Sequence, residues 1–94
     1  MVIGVCTIVL SVPMALSLKE KRQVVRSLLA RVRNEFNVSI AEVDDQNLWQ
    51  RATIGVACVA TDQVYAHRQL EAVVKFMDDR RPDAPIMGYD IEML

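Results

Sequence analysis

The sequence predicts one α+β domain, a four-stranded antiparallel sheet with two helices on one face. Three observations carry this. Segments rich in β-branched residues alternate with segments of helical period in the order β-α-β-β-α-β. The two middle strands are separated only by a short polar stretch, which reads as a hairpin loop. The chain is 94 residues long and contains no linker, repeat or low-complexity tract, so residues 1–94 form a single domain.

The elements follow in order. "VIGVCTIVLSV" is β-branched at most positions and reads as a first strand from Val2 to Val12, halted by Pro13 because proline cannot donate to a sheet ladder. Ser17 and Glu20 have the spacing of a capping box and open a helix. Leu18, Val25, Leu28, Leu29, Val32 and Phe36 recur on one helical face, which sets this helix at about residues 18–36. Asn37, tolerant of the left-handed conformation, is the expected terminator. "VSIAEVDD" reads as the second strand, "QNLWQR" as the loop, and "ATIGVACVATD" as the third strand. Asp62 can cap a second helix with Val64, Leu70, Val73, Val74 and Met77 on its apolar side, ended by Pro82 and Pro85. "IMGYDIEML" alternates and reads as the last strand, with Met87, Tyr89, Ile91 and Met93 sharing a face.

Two helical crossovers around a hairpin, joined by right-handed connections, give the ferredoxin-like βαββαβ sandwich, with the first and third strands as the central pair. That fold hosts many functions, so it decides none of them.

Bulk composition narrows the field. The chain is 52% hydrophobic and 24% charged, which is globular and not disordered. Cys6 and Cys58 are far apart, each within an apolar run. This is neither a disulfide framework nor a zinc set, and two buried thiols in a reducing compartment are expected. Whether they touch is left open. The apolar start lacks a basic n-region and is interrupted by Ser11 and Pro13, so a central strand is expected there and not a targeting or membrane segment. A cytoplasmic protein is the expectation.

"SLKEKRQVVRSLLARV", followed by "AEVDDQNLWQRATIGVACVATD", resembles the YlxP-like family of small bacterial proteins of unknown function. The likeness runs from the first strand to the second helix and is looser over the last strand. It implies a ferredoxin-like fold, a cytoplasmic location and a link to translation initiation or ribosome maturation. It supplies no catalytic mechanism.

Charge is segregated along the chain. Leu18 to Phe36 carries six basic residues against Glu20 and Glu35, a surplus of four positive charges in a protein of net charge −1. At about 100° per residue, Lys19, Arg22, Arg26 and Arg33 form a stripe flanking the apolar face. Such a stripe could follow a phosphate backbone. The plainer reading is a solvated face neutralised by Asp44, Asp45, Asp78 and Asp79. Lys21 lies nearer the apolar side, and its stem is expected to pack while its ammonium snorkels to the rim. The strands that would be central carry no aromatic residue, which argues against base stacking on the sheet and leaves helix and loop as the route to ribosomal RNA; DNA is not expected. Trp49, the only tryptophan, lies beside Arg51 in the loop. It is either a docking point or a lid over the end of the core, together with Leu48. Asp44 and Asp45 are better read as a turn or salt bridge than as a metal site.

Ile3, Val5 and Val9 have the parity opposite to Cys6, Ile8 and Leu10, so the first strand is apolar on both faces. This predicts a homo-oligomer, a two-fold dimer in its simplest form, unless small residues such as Thr7, Thr53 and Gly55 make the open face tolerable to water.

Signals for catalysis are weak. His67 is the only histidine and has no nucleophile beside it in sequence, and Gly4, Gly55 and Gly88 are isolated within strands. No catalytic residue, cofactor or metal is expected. Taken with the basic stripe, the resemblance implies a non-enzymatic, ribosome- or RNA-associated accessory factor. The alternative is a ligand-sensing or structural protein–protein module resembling ACT-type dimers, weakened by the absence of glycine from "SVPMALS".

Overall fold

A computed structural model describes residues 1–94. Its elements are β1 (Val2–Ser11), α1 (Leu18–Glu35), β2 (Ser39–Asp44), β3 (Arg51–Ala60), α2 (Gln63–Arg80) and β4 (Ile86–Met93). The sheet order is β2-β3-β1-β4 with every neighbouring pair antiparallel, the ferredoxin-like arrangement with β1 and β3 at its centre.

Register fixes which side chains meet the helices. Cys6, Ile8 and Leu10 stand opposite Val56, Ile54 and Ala52, and all six are buried together with Val25, Leu28, Leu29 and Val32 of α1 and Ala66, Leu70, Val73, Val74 and Met77 of α2. This is one continuous core between the sheet and both helices. At Gly4 the strand and α2 come so close that an added Cβ would lie 3.0 Å from a Leu70 methyl and 3.3 Å from the Ala66 Cβ. Phe36, just past the end of α1, meets Phe76 of α2 edge-on, with centroids 5.4 Å apart.

Ser17 caps α1 by accepting from the Glu20 amide at 3.1 Å. Glu20 reaches back one residue further than a capping box requires and accepts from the Leu16 amide. Asp62 caps α2 from the Tyr65 amide at 2.8 Å. No helix is long and apolar enough to cross a membrane.

Four sequence expectations are corrected. Helix α1 stops at Glu35, and Phe36 leaves it in extended conformation to follow its ring into the core, so Asn37 is not a left-handed cap. Val64 is 64% exposed and lies off the apolar side of α2. In β4 a bulge places Gly88 opposite Val9 and Ile86 opposite Leu10, which throws Met87 out of line: Tyr89, Ile91 and Met93 keep the helix-covered parity and Met87 does not. Lys21 does not snorkel but is fully buried.

Candidate functional site

The β2–β3 loop is held from below by one cation. The Lys21 ammonium donates to Glu42 Oε2 and to the Asp45 carbonyl, both at 2.8 Å, and to the Gln46 and Arg51 carbonyls at 3.3 Å. Every donor of a group with zero exposure is thereby satisfied, which is the condition for burying an ammonium at all. Asp45 takes the left-handed conformation at φ 62°. Its carboxylate accepts from the Thr53 hydroxyl at 2.6 Å and from Arg51 Nε at 3.1 Å.

A second set of bonds ties the same loop to the segment between β1 and α1. The Val12 amide donates to the Gln50 carbonyl at 2.9 Å. Gln50 Nε2 donates to the carbonyls of Pro13 and Ala15 at 3.0 and 3.2 Å. Two loops thus form one end of the molecule, from which Met14, Leu16, Leu48 and Trp49 project with 47–78% exposure. Trp49 does not lie over the core as a lid; it is 53% exposed on a loop fixed at both flanks.

The residues nominated for a polyanion contact fall into distinct environments. Lys19, Arg22 and Arg26 are exposed and enter none of the protein's salt bridges. The acids that could have neutralised them lie elsewhere, since Asp45 pairs with Arg51, and Asp44, Asp78 and Asp79 form no ion pair. Arg33 donates to the Ile40 carbonyl at 2.9 Å and keeps its charge uncompensated. That bond ties Arg33 to β2, so the stripe it belongs to lies on the β2 side of the sheet. Arg51 is paired with Asp45 and is the weakest contributor of charge. From Lys19 to Arg33 the stripe extends about 21 Å along the helix axis, with Lys19 and Arg22 at the end shared with Trp49.

Other chemistry-bearing groups do not converge. Cys6 is buried and its thiol is pushed up to about 11, by burial first and the Glu71 charge second. Cys58 lies two residues out of register with it, opposite Gly4, and both are free thiols. Glu71 accepts from the Tyr89 hydroxyl at 2.9 Å and stands 3.8 Å from His67, at the exposed surface. That bond to a carboxylate pushes the tyrosine's pKa up, so its hydroxyl ionises less readily. His67 and Glu71 are neighbours on α2 by their i,i+4 spacing, but nothing in the sequence pointed to Tyr89, which joins them only through the register of the last strand. No group of three metal-ligating side chains assembles. A shallow cleft of about 620 Å³ opens where β2 begins, between Arg33 and Asn37 on one side and Ile3 and Val59 on the other.

With this geometry in view, a family described as a protein of unknown function, DUF503, matches residues 3–91. The chain belongs to the DUF503 family. It is also similar to the uncharacterized protein YlxP of Bacillus subtilis (strain 168), at 47% identity over 62 residues, covering 66% of this chain and 67% of that protein.

Proposed function

We propose that this protein is a non-enzymatic accessory factor that contacts the RNA of the ribosome through α1. One observation carries the reading: Lys19, Arg22 and Arg26 stand free on a single helical stripe, with no carboxylate of the chain within salt-bridge distance. Free cations on a rigid helix lose little on meeting phosphates, because no internal ion pair has to break first. Trp49, exposed on a braced loop at the same end, would add a docking contact, and Arg33 would extend the stripe. The contact would follow backbone and not sequence, since the sheet has no stacking aromatics on its central strands.

Co-sedimentation with ribosomal subunits tests this. The protein is expected to pellet with a subunit at low salt and to be released steeply as salt rises. The variant K19E/R22E/R26E, checked for native fold by circular dichroism, is expected to stay in the supernatant. Sedimentation of that variant equal to wild type would refute the reading.

A further inference from the structure

One face of the sheet has no cover. Ile3, Val5 and Val9 of β1, Val43 of β2, and Ala57 and Val59 of β3 line it, with Val59 65% and Val43 54% exposed. The register stacks them in rows across the strands: Ile3 beside Val59, Val5 beside Ala57, Thr7 beside Gly55, Val9 beside Thr53. Gly55 also keeps the middle of the face low. At Gly55 a Cβ would lie 2.9 Å from a Val43 methyl, so the glycine lets Val43 lie down across the sheet.

We propose that this face is a homodimer interface, in which two copies pack sheet to sheet about a two-fold axis running along the strands. Size is the first argument. Four strands of this length present roughly 19 by 30 Å, about 600 Å² in projection. The accessible surface of a corrugated face exceeds its projection, so this approaches the ~800 Å² per partner of a stable interface.

Charge is the second argument, and it selects both the occupant and the axis. The face has no unpaired cation, because Arg51 at its corner is held by Asp45. Its acids stand at both margins, Glu92 beside Val5 and Asp90 beside Thr7 on β4, and Asp44 beside Thr53 on β2. A polyanion is therefore repelled from this face. An axis across the strands would set the acids of one β4 against those of the other. An axis along the strands sets β4 of one copy over β2 of its mate and leaves each row opposite its own counterpart, so that Asp90 faces Ala41 and Asp44 faces Gly88, with no acid directly over another. The row of Val5 and Ala57 ends on β2 at Ser39, next to the Ile40 carbonyl that holds Arg33. Glu92 of one copy then reaches the Arg33 margin of the other, where the 620 Å³ cleft lies open to receive it. The interface needs no RNA, and the RNA reading rests on Lys19, Arg22 and Arg26, so either can fail alone.

Sedimentation velocity on the purified protein without nucleic acid, up to about 200 µM, is the test. Wild type is expected at twice the 10.6 kDa chain mass. Val59→Glu, at an exposed position that a monomer tolerates, is expected at one chain mass with an unchanged circular dichroism spectrum. Val64→Glu, on the outer side of α2, is expected to remain dimeric. E92R and R33E are each expected to weaken association by about tenfold, with E92R/R33E recovering most of the loss. A monomeric wild type, a dimeric V59E, or a double charge reversal no better than the single ones would overturn the proposal.

Discussion

Lys21 is the residue on which most of the loop depends. Its ammonium neutralises Glu42 and gathers three carbonyls from a loop that would otherwise have to turn them to water. Replacing it with methionine keeps the stem but leaves a largely buried carboxylate unpaired, a loss of about 3–5 kcal/mol. Urea unfolding of K21M should show that loss. Trp49, the only tryptophan, should report a freer loop as lower fluorescence anisotropy in the native state. The helical phase of Lys21, inside the apolar arc, was legible in the sequence. Its partners were not, because they lie 21 to 30 residues away and meet only when β2 and β3 pair. Cys6 gives a second prediction. Its folded-state ionisation is raised from 9.0 to about 11, so the unfolded chain gains a thiolate at lower pH than the folded one. Stability from this source is complete below pH 9 and is lost as pH rises to about 11, by roughly 2–3 kcal/mol. Tyr89, also raised, contributes in the same direction at alkaline pH. The fall in unfolding free energy between pH 8.5 and 11 (the range set by the Cys6 shift) should therefore be shallower, but not absent, in Cys6→Ala.

At the scale of elements, local signals and long-range ones part company. Both helix starts were readable because Ser17 and Asp62 act within three residues of themselves. The end of α1 was not. Phe36 leaves the helix to meet Phe76 from another helix, and that contact outweighs the left-handed tolerance of Asn37. The face assignment of β4 failed at Met87 alone, because strict alternation cannot foresee a bulge. Gly4 marks where β1 and α2 approach most closely. Gly4→Ala would press a methyl against the Ala66 Cβ, which has no rotamer to escape into, and against Leu70 and Met93, which can shift slightly. The expected cost is about 1–3 kcal/mol, measured as a lower urea midpoint with an unchanged m-value. A Gly4→Ala protein as stable as wild type would mean that α2 can lift from the sheet at no cost.

At the scale of the whole molecule, the cations of α1 stand apart from the acids of β4 in space as well as in sequence. Cations line the β2 side of α1, while Asp90 and Glu92 lie on the open face at the opposite margin of the sheet. The surplus in the α1 segment was legible from composition. Which cations are spoken for was not, since Lys21 is consumed by Glu42, Arg51 by Asp45 and one arm of Arg33 by a backbone carbonyl. On the stripe three charges remain wholly free, those of Lys19, Arg22 and Arg26, and their number makes the RNA reading quantitative. Each phosphate contact releases a condensed counterion, so three contacts give a log–log salt slope of about −2 on single strands and nearly −3 on a duplex. A tenfold rise in salt should then weaken binding to ribosomal RNA by two to three orders of magnitude, measured by filter binding or fluorescence anisotropy. Each charge removed in the series R26E, R22E/R26E and K19E/R22E/R26E should flatten the slope by a step of nearly one. A slope that stays the same across that series would mean that the phosphates meet some other part of the surface, and the stripe would then be no more than a solvated helix face.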